Sequence, residues 1–310
     1  MIRLFDLPQQ DLRALLATGA PVWMTVNPVE FHGPHLSLHN DLHISRGIVK
    51  DVHRALAAKG HPAELLVAAD LEVGVGPAPG PGSRHTPFET VRALVIDACD
   101  RLADLGAKRV VLITFHGDPL HNLAVTAGVK ALKKRGVVAL SPFNDLLAEM
   151  LALEPERFAP ALAHVTQPKR SAMLRELKFD FHAGFFETSL TLHYAPETVS
   201  KNYTSLPPCP KITNERAFQL ASTVAGKLGA KTLSQELEFA ARGKGWHAIP
   251  GYPGYTSEPA LATKEAGAFF AREITRRFAE VSEAVLYKGA DEPTPIMSWS
   301  AALSLNGRLA

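Results

Sequence analysis

The chain has 310 residues, 46% of them hydrophobic, which is enough apolar material for one large α/β domain or two small ones without covalent staples. Its 33 basic and 31 acidic residues leave a formal net charge of +2 and are dispersed along the chain, so no polybasic footprint points to nucleic acid or to a membrane surface. Only Cys99 and Cys209 occur, far apart, which leaves no disulfide framework and no CxxC zinc site and fits a reducing compartment. The first residues hold no apolar run long enough for a signal peptide, and nowhere do about 18 apolar residues run uninterrupted. The expectation is a soluble, cytoplasmic protein that acts on small molecules.

Residues 21–27 form a short apolar run rich in β-formers, read as a buried strand that delivers polar residues at its C-terminal end. The polar residues follow at once. Between Pro28 and Asp41 lie Glu30, His32, His35, His39 and Asp41, and carboxylates with neutral imidazoles suit zinc or manganese. The alternative is a surface loop that is merely rich in histidine. Over residues 41–59, Ile44, Ile48, Val52 and Leu56 recur at helical spacing and Gly60 stops the pattern, so Asp41 sits near a helix start.

Residues 65–69 read as a second strand, and the glycine and proline run 74–87 as a loop at the rim of a site. Thr86, Pro87 and Glu89 have the pattern of a capping box, opening a helix that continues to Gly106. Residues 109–115 are the clearest buried strand, running into His116-Gly-Asp118 and then a helix to about residue 135. With a further strand at 137–140, the first half alternates strand and helix as a parallel sheet covered on both faces does. The second half predicts helices over 145–153, 214–228, 231–242 and 263–287, and a structured loop over 245–259 containing Trp246, His247, Tyr252 and Tyr255.

Three segments together resemble the creatininase family of metal-dependent amidohydrolases. Glu30-Phe-His32-Gly-Pro-His35-Leu, with Asp41 downstream, is similar to the family's E-x-H-G-x-H-L-P and its bridging aspartate. His116-Gly-Asp118 resembles the family's N-G-H-G-G-N turn, with an acid two residues after the histidine as in the H-x-E of creatininase proper. Asp180-Phe-His182-Ala-Gly-Phe-Phe-Glu187-Thr-Ser189 is similar to D-x-H-A-G-x-x-E-T-S, and residues 251–267 resemble the closing glycine-rich loop and helix. The chain departs from the family where Phe31 replaces a usual glutamine and where Thr114-Phe-His-Gly-Asp-Pro119 lacks the asparagine and one glycine. Trp23, Trp246 and Trp299 do not match the tryptophan-lined pocket of creatininase, so creatinine is not favoured as substrate.

The resemblance implies a single-domain three-layer α/β/α fold over residues 1–288, with 289–310 as a tail, and two cations per chain: zinc, manganese or both, with iron(II) as a further candidate. It implies that Asp41 bridges, that Glu30 and His116 complete one metal, and that His32 and Glu187 complete the other. Water shared by two cations loses its proton near neutral pH and becomes the nucleophile. His182, outside this ligand count, is left for acid and base work with Asp180 to orient it, or else holds its loop together. Asp118 is either a direct ligand or an acceptor for the bound water, and His35, His39, His43 and His121 are support or surface residues. Trp246, Tyr252 and Tyr255 either wall a pocket or simply pack.

Hydrolysis of a non-peptide C–N bond in a cyclic amide, lactam or formamide is the leading expectation. The family also includes the formamide hydrolase of archaeal flavin synthesis and the mycofactocin precursor peptidase, so cleavage of a short peptide is the alternative; a non-catalytic metal-binding scaffold is the second. Family members tend to be oligomeric, and a homo-oligomer, a hexamer by resemblance, is expected.

Overall fold

The computed structural model describes residues 1–308. In chain order it contains β1 (Ile2–Arg3), α1 (Gln9–Ala17), β2 (Val22–Val26), α2 (Asn40–Ala58), β3 (Leu66–Leu71), α3 (Phe88–Leu105), β4 (Arg109–Ile113) and α4 (Pro119–Lys134). There follow β5 (Val138–Leu140), α5 (Phe143–Leu151), α6 (Lys169–Glu176), α7 (Phe185–Tyr194), α8 (Arg216–Lys227), α9 (Lys231–His247), α10 (Lys264–Lys288) and α11 (Trp299–Leu303).

All the strands run parallel in one sheet of order β1-β3-β2-β4-β5. Side chains alternate across a strand, so each strand feeds two cores. Val22, Met24 and Val26 of β2 join Val110 and Leu112 of β4 against α1, α3 and α4. Trp23, Val111 and Ile113 point to the opposite face, against α2, α5, α7 and α10. The three-layer α/β/α architecture with a parallel sheet is thus the one expected, and the stripe Ile44, Ile48, Val52 and Leu56 is buried as its spacing requires.

The chain leaves β2 through α2 towards β3 on one side, and leaves β4 through α4 towards β5 on the other. Because α2 and α4 cover opposite faces, a crevice opens between the carboxyl ends of β2 and β4, the switch point where open α/β sheets hold ligands.

Several boundaries differ from the sequence expectation for physical reasons. The strand expected to reach Phe115 ends at Ile113, because the N–H of Phe115 donates to the Asn27 side chain at 3.0 Å and leaves the ladder. The capping box at Thr86 does not form: Pro87 is extended and itself precedes the helix, whose first turn has no side-chain cap. α9 continues through Trp246 and His247, so the loop expected from Gly245 starts later. α1, α6 and α7, the last carrying Glu187, have no counterpart in the sequence reading. Residues 289–308 lie on the domain surface, where Met297 N–H and Trp299 Nε1–H both donate to Glu236 of α9. Among the described residues no helix is long and apolar enough to cross a membrane.

The long helix α10 crosses α7 at Gly267, where an added Cβ would stand 1.8 Å from the carbonyl oxygen of Ser189. A backbone atom cannot swing aside, so Gly267→Ala should separate the two helices and cost about 1–3 kcal/mol. Urea denaturation measures this; a midpoint equal to that of the unaltered protein would contradict the close approach.

Candidate metal centre

Five polar side chains from four elements meet in the crevice. Glu30 and His32 lie on the loop leaving β2, and both are buried. Glu30 Oε1 accepts from the N–H of Ala78 at 2.5 Å, which leaves Oε2 free. His32 Nδ1 lies 3.1 Å from the Glu30 carbonyl oxygen and donates to it, so Nε2 presents a lone pair. Asp41 stands in the first turn of α2, and Glu187 in the first turn of α7, where its Oε2 accepts from the N–H of Ala183 at 2.6 Å. His116 follows β4 and donates Nε2–H to the Val75 carbonyl at 2.8 Å, which turns Nδ1 inward.

The inward atoms are close. Nε2 of His32 lies 2.9 Å from Asp41 Oδ1 and 3.6 Å from Glu187 Oε2, and Nδ1 of His116 lies 2.9 Å from Glu30 Oε2 and 3.6 Å from Asp41 Oδ2. With the inner nitrogens of both rings deprotonated, Glu30 Oε2, His32 Nε2 and both oxygens of Asp41 are buried and, among the described residues, have no hydrogen-bond partner. Lone pairs that crowd together without pairing are aimed at a common third point, and buried polar atoms are seldom left so. Three overlapping sets have ligand atoms within 4.8 Å of one another: Glu30, Asp41 and His116; His32, Asp41 and Glu187; Glu30, His32 and His182. The donors are carboxylate oxygens and imidazoles whose far nitrogens are tied to backbone carbonyls, as metal-binding histidines usually are. The residues present therefore fit first-row transition-metal cations, and Asp41 belongs to two of the three sets.

The electrostatics are those of an anionic trap. Burial alone would lower the pKa of His32, but Asp41, Glu30 and Glu187 lift it to about 10; burial opposes and Glu30 and Asp41 lift His116 likewise to about 10. Burial raises Glu187 to about 8 and also raises Asp41, whereas the three neighbouring histidines hold Glu30 well below the usual range. His182 is pushed down to about 3 by burial and by repulsion from His32, so its imidazole is neutral.

His182 Nε2 donates to the carbonyl of Phe31 at 2.9 Å, and Nδ1 faces Glu30 Oε1 at 3.9 Å. Its ring stacks on His32, with centroids 4.2 Å apart. Asp180 does not orient this ring. It accepts from Phe186 N–H at the start of α7 and from the Thr256 hydroxyl, and so holds the loop instead. Asp118 belongs to none of the three sets: Oδ1 accepts from His121 N–H as the cap of α4, while the half-buried side chain borders the pocket beside Gly76. His35 pairs with Thr188, and His121 with Thr114 and the Val26 carbonyl beneath His116, whereas His39 stands out near Glu72.

A pocket of about 160 Å³ opens over the centre, bordered by Glu30, His116, Asp118, His182 and Glu187. Trp246 walls it; Tyr252 instead packs behind Trp246, and Tyr255 bonds the Pro207 carbonyl. Trp23 is in the core and Trp299 on α11. Sequence reasoning missed the apolar face of α5 in this wall, because the site residues were sought among polar motifs.

A parallel α/β domain with buried carboxylate and imidazole sets at its switch point is, as a class, a protein built to hold metal ions. The chain belongs to the creatininase family: the family described as "Creatininase: Creatinine amidohydrolase" matches residues 6–282. Solved structures of that name share the fold. A creatinine amidohydrolase (creatininase) superposes with a TM-score of 0.60 at 19% identity over 91% of this chain and 97% of its own. A structure named creatininase Mn gives 0.59 at 17% identity over 91% and 98%, and a Zn-Zn type mutant creatininase 0.60 at 18% over 93% and 100%. No curated protein matches the sequence significantly.

Both His32 and His116 hold their protons in the metal-free fold far above the ordinary histidine pKa of about 6.5. Such groups stabilise the folded state fully below about pH 6.5, and the contribution is lost as pH rises through about 10. Glu187 acts in the same direction up to about 8. The Tm of chelator-treated protein should therefore fall as pH rises from about 6.5 towards 10, and zinc or manganese should abolish the fall. A flat or rising Tm across that window would refute this account of the charges.

Proposed function

We propose that this chain is an amidohydrolase that opens a non-peptide C–N bond of a small amide, using two cations held by Glu30, His32, Asp41, His116 and Glu187. The observation that carries the reading is the convergence of buried, unpartnered oxygens and nitrogens around Asp41. The family match and the Mn and Zn-Zn creatininase structures support zinc or manganese. Bound there, the cations would lower the pKa of water towards ~7 and polarise an amide carbonyl.

The remaining work falls to side chains. Because the Phe31 carbonyl fixes Nε2–H of His182, Nδ1 is the acceptor, and it opens on the pocket. His182 takes the proton from the attacking water's hydroxyl and returns it from Nδ1 to the departing nitrogen. Neutral histidine is needed for the first half of that cycle, and burial keeps it neutral. Asp118, with Oδ1 engaged by the α4 N-terminus, has Oδ2 left to accept from a substrate N–H. Trp246, with ring centroid 5.0 Å from that of His182, shields the proton carrier from bulk water. The volume of about 160 Å³ suits a small amide better than a peptide segment.

One observation favours a second role for His182: Nδ1 belongs to a set with Glu30 and His32 that could hold an ion. Elemental analysis separates the two. Asp41→Asn should strip the metals, whereas His182→Ala should keep both while amide hydrolysis drops about 10²–10⁴-fold. Loss of an ion in His182→Ala would make it a ligand, and full metal content in Asp41→Asn would end the shared-carboxylate reading.

A further inference from the structure

We infer that the substrate carries an uncharged apolar arm, aromatic or branched aliphatic, beside its scissile amide; this rests on the amidohydrolase reading above. One helix face supplies much of the pocket's apolar lining. Phe143, Leu146, Leu147 and Met150 of α5 recur at helical spacing and all border the pocket, as do Phe186 and Trp246. A second cavity of about 40 Å³ lies against the same face, and Leu146, Met150 and Phe186 border both. The partition between the two is therefore one layer of side chains, and methionine is the most adaptable of apolar residues.

The charges point the same way. Among the described residues no lysine or arginine borders the main pocket, while Glu30, Asp118 and Glu187 do. The nearby cations are engaged elsewhere: Arg277 with Asp145 and Glu149, Arg157 with Glu149 and Glu273, and Lys178 with Glu238. Away from the metal cations that Glu30 and Glu187 would hold, a carboxylate or phosphate on the substrate's arm would be desolvated along the α5 face with no lysine or arginine to pair with it. An apolar arm loses nothing polar on entering and covers the α5 face. This disfavours free C-terminal carboxylates, and with them short peptides, for a reason independent of pocket size.

Hydroxamates grip metal ions through their head group and leave the arm to report on the pocket. Binding of acetohydroxamate, 3-phenylpropionohydroxamate and succinate monohydroxamate to the zinc-loaded protein is measured by calorimetry. The phenylpropionyl compound should bind at least about tenfold more tightly than acetohydroxamate, the factor expected from burying a few methylene equivalents. The succinyl compound should bind no more tightly than acetohydroxamate. In Met150→Arg, with zinc content and circular dichroism unchanged, the phenyl advantage should shrink and the succinyl compound should gain. Equal binding of all three, a preference for the succinyl arm, or zinc retained with no hydroxamate bound would each overturn the inference while leaving the metal centre intact. A protein that binds no zinc at all would overturn the amidohydrolase reading beneath it.

Discussion

Three carboxylates buried around one point are the constraint on which the rest of this molecule turns. Each ion taken out of water carries a penalty of several kcal/mol unless something compensates it. Here the fold supplies the compensation from several directions. Asp41 and Glu187 stand in the first turns of α2 and α7, where the helix dipole favours negative charge. Ala78 and Ala183 give backbone N–H groups to Glu30 and Glu187. His32 and His116 provide the remaining positive charge when no cation does. A cation would displace the inner protons of these two histidines, and the nitrogens so freed, with both oxygens of Asp41, are the atoms it would take.

Holding those groups to common coordinates requires tying elements that are distant in sequence, and Asn27 does much of this. Its single carboxamide oxygen accepts from Phe115 N–H at 3.0 Å, from Ser45 of α2 at 3.1 Å and from Thr114 at 3.4 Å. Its own N–H donates to the carbonyl of Leu71 at the end of β3. One residue thus joins the ends of three strands to the helix that carries Asp41. A second tie, from Thr191 of α7 to Asn40 of α2 at 2.6 Å, couples the helices bearing Glu187 and Asp41. Such ties fix the position of a charge cluster more sharply than apolar packing does, because a buried donor or acceptor has few acceptable positions.

The parts of this design that were legible from sequence share one property: their signal is local. Strand β4 is a continuous apolar run, α2 has a regular stripe, Glu30, His32 and His116 lie on loops that leave strand ends, and Asp41 stands where the stripe of α2 begins. The helix α7 was not legible because Thr188, Ser189 and Thr191 are weak helix formers; its start is fixed instead by Asp180 accepting from Phe186 N–H across a sharp loop. Asp180 was assigned to His182 on proximity along the chain, whereas the ring is held by the Phe31 carbonyl, 151 positions away. The pocket wall was invisible for a related reason. Phe143, Leu147 and Met150 look like any amphipathic stripe, and only the tertiary arrangement shows that part of the stripe faces an opening.

Phe31 shows how the two halves of the site can vary separately. The family usually has glutamine there, but what His182 uses is the backbone oxygen, which any residue provides. The phenyl ring points away, where a Cβ at Gly254 would come within 2.2 Å of it, and Gly254 itself adopts φ +71°. The side chain thus wedges the closing loop against the 74–87 loop, while its main chain holds the His182 ring. The donor atoms of the charge cluster are anchored to backbone at strand and helix ends. On the proposed reading, substrate choice rests with side chains of α5, α9 and the neighbouring loops, of which Trp246 packs against His182. If the chain is the amidohydrolase proposed, changes in that wall redirect it to a different amide without altering the charge cluster beneath it.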